Sequence, residues 1–225
     1  MKKFENIEWL FFDFGGTLDS PGIHSRKLFF NCFNEILCDL DNKIFQDAYT
    51  FADELMVSKS LIVKADLFKM NEVMCSLITN KLDINENISK NAANLITQIQ
   101  TKQLLKNQEL LKVLSKHFKL GIVSNFSGNL EIILREFDIH HFFTFIIDSY
   151  YTGFKKPQSE IYVHALKLAG IPASQAIFVG DNLERDIVAP KCLGFSTIWI
   201  DRDLKKNVHA DETVDDLEEL LHLIQ

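Results

Sequence analysis

The chain has 225 residues, enough for one large domain or a core with a modest insertion and too few for three domains. Apolar residues make up 47% and charged residues 24%, which excludes a disordered or collagenous polymer. Lys and Arg number 24 against 31 Asp and Glu, a formal charge of −7 with no basic run, so the chain lacks the basic face that nucleic acid requires. No apolar stretch reaches the roughly 18 residues of a membrane span. Glu5 and Glu8 interrupt what would be the apolar core of a signal peptide. The four cysteines (Cys32, Cys38, Cys75, Cys192) show no zinc spacing. Reduced, buried thiols in a cytoplasmic protein are expected, with no nucleic-acid or membrane partner; nothing here bears on oligomeric state.

Five short runs read as strands: Trp9 to Phe12, Leu120 to Val123, Phe143 to Ile147, Ala176 to Val179 and Thr197 to Ile200. They are almost continuously apolar, the pattern of strands covered on both faces of a parallel sheet. Between the later runs lie helical stripes: Leu130, Ile133, Leu134 and Phe137; Ile161, Ala165 and Leu168; Leu217, Leu220, Leu221 and Ile224. Gly170, Pro172 and Gly194 read as helix stops. This alternation predicts an α/β fold, a Rossmann-like core with a parallel sheet and right-handed crossovers.

Residues 20–106 break the pattern. Four stripes repeat there at three and four residues: Phe29, Phe33, Ile36, Leu37 and Leu40; Phe45, Ala48, Ala52 and Leu55; Leu67, Met70, Met74 and Leu77; Ile88, Ala92, Leu95 and Ile99. An α-helical bundle cap at 20–106 is expected, inserted into a core formed by 1–19 and 107–225. Because it leaves after the first strand and returns before the second, both connections are expected near the C-terminal edge of the sheet, where ligands bind in open α/β folds.

Polar clusters follow the strands at that edge. Asp13-Phe14-Gly15-Gly16-Thr17 follows the first, Ser124-Asn125 the second, Lys155-Lys156-Pro157 the third, and Gly180-Asp181, with Asp186 beyond, the fourth. Asp13, Asp181 and Asp186 brought together would repel one another unless a cation compensates, and an oxygen-only set suits Mg²⁺. A carboxylate after the first strand can attack phosphorus. Ser124, Lys156 and the N–H groups of the Gly15-Gly16 loop can receive the phosphoryl oxygens, with Gly16, Thr17 and Asn125 as candidates for holding substrate.

The four clusters, in this order and with a helical insert after the first, resemble the haloacid dehalogenase-like (HAD) hydrolase superfamily over nearly the whole chain. The resemblance implies that Asp13 is the nucleophile and a metal ligand, that Ser124 and Lys156 hold the phosphoryl group, and that Asp181 and Asp186 complete the Mg²⁺ site. In that family an acid/base Asp usually stands two residues after the nucleophile, its carbonyl on the metal. Here the position is Gly15, which keeps the carbonyl and loses the proton shuttle. The implied activity is a Mg²⁺-dependent phosphohydrolase acting on a small phosphorylated metabolite through an aspartyl-phosphate. It would favour good leaving groups or borrow an acid, with His24 and Asp19 the nearest candidates. A degraded protein that only binds a phosphorylated ligand or partner is the alternative, as is dehalogenase- or phosphonatase-like chemistry; for the last, Lys27, Lys59, Lys64 and Lys69 are the lysines in the insert.

Overall fold

The computed structural model describes residues 4–202 and 209–224. β1 (Trp9–Phe12) lies at the centre of a six-stranded parallel sheet with β2 (Lys119–Ser124) on one side and β4 (Ala176–Gly180) on the other. β3 (Phe143–Asp148) extends the sheet beyond β2, and β5 (Ser196–Ile200) and β6 (Glu212–Val214) extend it beyond β4. The order β3-β2-β1-β4-β5-β6 reverses direction at β1 and β4. The C-terminal ends of those two strands therefore border the crevice where such sheets bind ligands.

β1 is buried along its whole length, and its alternate side chains serve two cores. Leu10 and Phe12 join the helices of the insert, whereas Trp9 and Phe11 face the opposite layer. On that second face Phe11 meets the rings of Trp9, Phe145 and Phe195 at centroid separations of 5.2–5.8 Å. Much of the chain's phenylalanine is thus core filling. Truncating fully buried Phe11 to Ala is expected to cost about 3–5 kcal/mol, read as a lowered urea midpoint with an unchanged slope.

Four helices stand between β1 and β2: α1 (Ser25–Leu37), α2 (Asn42–Ser58), α3 (Leu67–Leu82) and α4 (Glu86–Leu114). Asp41, Asp66 and Asn85 cap the last three, each side chain accepting a backbone N–H from the first turn. The helices and one face of the sheet share a continuous core.

Both ends of the expected insert lie near the C-terminal edge, since Asn107, just beyond it on α4, meets Leu18 of the loop after β1; the rest of α4 then runs on toward the start of β2. β2 runs parallel to β1, with Lys119 opposite Trp9, so it begins at the far edge. The 29-residue α4, about 44 Å long at 1.5 Å per residue, spans that distance. Its inward face also differs from the apolar stripe. Ile88, Leu95 and Ile99 are only partly buried, while Ser89, Gln100, Gln103 and Asn107 are buried. Asn107 donates to the Leu18 carbonyl at 2.7 Å and Gln100 to Asp19 at 2.7 Å, so polar residues turn inward to satisfy the loop after β1.

α5 (Leu130–Glu136) follows β2, and α6 (Ser149–Thr152) and α7 (Ser159–Ala169) follow β3. Gly170 ends α7 at φ 70°, the left-handed stop expected of it, but Leu168 is exposed. A π-helical turn, Leu183–Val188, runs into α8 (Ala189–Cys192). The C-terminal stripe forms a 3₁₀ turn, Leu217–Glu219, before the short α9 (Leu220–Leu223). β6 is an addition to the expected strands. Cys32 and Cys75 are buried thiols, but Cys38 and Cys192 are exposed, because Cys38 is the left-handed residue closing α1 and Cys192 ends α8. Among the described residues no helix is long and apolar enough to cross a membrane.

Candidate active site

The hydrogen bond from Asp13 N–H to the Val179 carbonyl, 3.0 Å, carries the β1–β4 pairing one residue past the strand and delivers the Asp13 side chain to the sheet edge. Ser124, the last residue of β2, donates its hydroxyl to Asp13 Oδ1 at 2.8 Å. Lys156, 3% exposed, donates Nζ to the same oxygen at 2.8 Å and to Asp186 Oδ1 at 2.6 Å. Asn125 holds that lysine's main chain from both sides, accepting Lys156 N–H at 2.7 Å and donating to Lys156 O at 2.9 Å. Asn125 also lines the cavity above Asp13.

Asp181 follows β4, and Asp186 lies on the π-helical turn, where its Oδ2 accepts Asn182 N–H at 3.0 Å. One carboxylate oxygen each from Asp13, Asp181 and Asp186 fall within 4.8 Å of one another. Oxygen ligands on opposite sides of Mg²⁺, at about 2.0–2.1 Å from it, stand about 4 Å apart. Asp181 Oδ2 is buried and has no hydrogen-bond partner. Three carboxylates against one lysine leave two negative charges uncompensated, which a divalent cation would cancel. The donor set, its spacing and the orphaned oxygen all fit such an ion.

Burial, then the charges of Asp13 and Asp186, hold the Asp181 carboxyl well above the usual carboxylate range. Burial also lifts Asp186 to about 6, with Asp13 adding to the rise and Lys156 opposing it. Burial alone would lower the Lys156 ammonium, but the two neighbouring aspartates overcome it and raise its pKa.

The loop after β1 closes tightly over this cluster. Gly16 sits at φ 87°, and a Cβ there would lie 2.5 Å from Asp181 Oδ2. Gly180 is likewise closed off by Asp186, whose Cγ would be 2.4 Å from an added Cβ. Gly16→Ala is therefore expected to displace Asp181 and weaken Mg²⁺ affinity by at least about 10-fold, the lower end of what loss of a metal site's supporting contacts costs. Calorimetric titration with MgCl₂ checks it. Thr17 is fully buried, with a hydroxyl lacking a partner.

Neither candidate for a borrowed acid stands free. Asp19 Oδ1 accepts Gly16 N–H at 2.7 Å and Oδ2 accepts Gln100 Nε2 at 2.7 Å. Burial raises its carboxyl to about 7 against those two bonds. His24 caps α1, its Nδ1 accepting Arg26 N–H at 3.2 Å, and its Nε2 is 3.1 Å from an Arg185 Nη. Burial and then Arg185 lower its pKa, so the ring is neutral at neutral pH.

Asp13, Gly15, Asp19, Ser124, Asn125 and Lys156 all border one cavity between the sheet edge and the insert. The far wall carries Arg26, Asn71 and Gln100, none of them a candidate on sequence grounds. Asn71 and Gln100 stand beside apolar stripe residues and Arg26 in an ordinary helix start. Only three-dimensional contacts mark them.

The family model of the haloacid dehalogenase-like hydrolases matches residues 10–200. Glyceraldehyde 3-phosphate phosphatase from Pyrococcus furiosus is 29% identical over 164 residues, 66% of this chain and 67% of that protein. Haloacid dehalogenase-like hydrolase domain-containing protein 3 from Danio rerio is 33% identical over 105 residues, 47% of this chain and 43% of its own. The HAD-hydrolase YfnB from Bacillus subtilis, solved with magnesium bound, superposes with a TM-score of 0.59 at 22% identity, covering 98% of this chain and 100% of that one. With the family model spanning most of the chain and the four clusters meeting at one sheet edge, the chain belongs to the haloacid dehalogenase-like hydrolases.

Proposed function

We propose that the protein is a Mg²⁺-dependent phosphohydrolase in which residues 20–106 cap a core formed by 1–19 and 107–225. The supporting observation is the Asp13 carboxylate, bonded on one oxygen by both Ser124 and Lys156 while it borders a cavity. Asp13 attacks the phosphorus of a phosphate monoester; the bond from phosphorus to the leaving oxygen breaks, and water then hydrolyses the aspartyl-phosphate, returning the carboxylate. Ser124 and Lys156 hold the phosphoryl oxygens, and Asn125 keeps Lys156 in place; Gly16 and Thr17, expected to hold substrate, instead give their N–H groups to Asp19 and Phe14 and brace the loop. Mg²⁺, held by Asp13, the Gly15 carbonyl, Asp181 and Asp186, would offset the charge of the phosphoryl group. The P. furiosus relative's name supports a small phosphorylated substrate.

Gly15 offers no carboxyl to protonate the leaving oxygen, so turnover follows leaving-group quality. With Mg²⁺, acetyl phosphate and para-nitrophenyl phosphate are expected to release phosphate faster than alkyl phosphates. Failure to release phosphate from any of these, with Asp13→Asn behaving like the parent, would contradict the proposal. Gly15 is also the one observation favouring a second reading, a protein that binds phosphorylated ligands without turning them over. That reading predicts phosphate binding without phosphate release.

A further inference from the structure

The cavity above Asp13 holds polar groups for which hydrolysis of the phosphate itself has no use. It encloses about 160 Å³. A void of about 150 Å³ takes one benzene-sized molecule, so the ligand enclosed here is small. Arg26, on the first turn of α1, and Arg185, on the π-helical turn, both line it. Neither guanidinium forms an ion pair among the described residues, although Asp53 borders the same cavity. The Arg26 guanidinium lies 5.4 Å from the Tyr49 ring centre, and its Nε is buried without a hydrogen-bond partner. The Arg185 guanidinium meets a neutral partner, His24, rather than a carboxylate. Asp53 feels the charge of both guanidinium groups but comes within ion-pair distance of neither, so two cations face one carboxylate; with a buried donor on Arg26 still unpaired, that arrangement is stable when a ligand supplies a further acceptor.

Asn71, fully buried on α3, marks a second point of recognition. Its Nδ2 donates to Thr97 Oγ1 at 2.9 Å and to Gln100 Oε1 at 2.7 Å. Asp19 fixes the direction of this relay. While Asp19 is ionised both of its oxygens accept, one from Gly16 N–H and one from Gln100, so Gln100 turns its nitrogen toward Asp19 and its oxygen toward Asn71. Asn71 must then spend its nitrogen on Gln100. Its Oδ1 is left buried without a donor, on a residue lining the cavity.

We infer that the cavity selects a small phosphorylated hydroxy acid: Arg26 and Arg185 pair with its carboxylate, and Asn71 Oδ1 accepts its hydroxyl. The inference rests on the proposed phosphohydrolase site and names that site's substrate class. A polyol phosphate of the same size would satisfy Asn71 and leave the two guanidinium groups with only Asp53 to share.

Calorimetric titration of the Asp13→Asn protein with Mg²⁺ tests this without turnover, using 3-phosphoglycerate, glycerol 3-phosphate and inorganic phosphate. The first two share phosphate and hydroxyl and differ by a carboxylate. The acid is expected to bind about 10-fold or more tightly than the polyol phosphate. Adding Arg26→Met should compress that preference to about threefold or less, and Arg26→Lys should retain part of it. Equal affinity for the two ligands, or a preference that survives Arg26→Met, overturns the inference. If none of the three binds, inorganic phosphate included, the phosphate-site reading has failed and the inference falls with it. If phosphate and both esters bind alike, only the inference falls.

Discussion

Asp13→Asn is expected to lower phosphate release by on the order of 10⁴- to 10⁶-fold, the scale of losing a nucleophile. The substitution keeps an oxygen that can accept from Ser124 and Lys156, and Lys156 retains its 2.6 Å bond to Asp186. Folding should therefore survive, and a far-UV melt close to the parent's is the control. An amide cannot attack phosphorus as a carboxylate does, so the loss should fall on kcat for every ester tested. A variant retaining more than about one-tenth of the parent rate would mean that the phosphoryl group is transferred to something other than Asp13.

Gly15→Asp should act in the opposite direction, raising turnover of alkyl phosphates by about 10²- to 10⁴-fold, the usual worth of a positioned general acid. Aryl and acyl phosphates, whose leaving groups need little protonation, should gain much less. Gly15, unlike Gly16, lies outside the left-handed region, so its backbone accepts a side chain. The neighbour that must give way is the Ser25 hydroxyl, 3.0 Å from where the new Cβ would sit. Measuring Gly15→Asp with and without Ser25→Ala separates that crowding from the chemistry. A gain in either form shows a site lacking only its proton shuttle. No gain in both would favour the reading in which the protein binds phosphate esters without hydrolysing them.

What could be read from the sequence follows how local each cause is. β1 through β5 were legible because burial on both faces demands unbroken apolar runs. β6 was not, since Glu212 and Thr213 are polar and only Val214 reaches the core. The helices between β1 and β2 showed their periodicity, but α4 turned a polar face inward to serve Leu18 and Asp19, and an apolar stripe cannot announce that. Asp13, Ser124, Lys156, Asp181 and Asp186 were expected together because parallel strands deliver their C-terminal ends to one edge; hydrogen bonds join Asp13, Ser124, Lys156 and Asp186 there, and an Asp181 oxygen lies within 4.8 Å of those of Asp13 and Asp186. The far wall stayed hidden because its meaning comes from distant pairings. Gln100 reaches Asp19 across 81 residues, and Arg185 meets His24 across 161. The buried side chain that matters most there, Asn71, looks from sequence like a polar residue at the edge of a methionine stripe.

The central claim is that the Asp13 carboxylate receives the phosphoryl group beside a divalent ion. Crystallography of the protein with Mg²⁺ and beryllofluoride, a mimic of the transferred phosphoryl group, tests it most directly. The account predicts beryllium bonded to an Asp13 oxygen, fluorines within hydrogen-bond reach of Ser124 and Lys156, and Mg²⁺ among Asp13, Asp181 and Asp186. Beryllofluoride bound elsewhere, with the Asp13 oxygens bare and no ion between the three carboxylates, would contradict it.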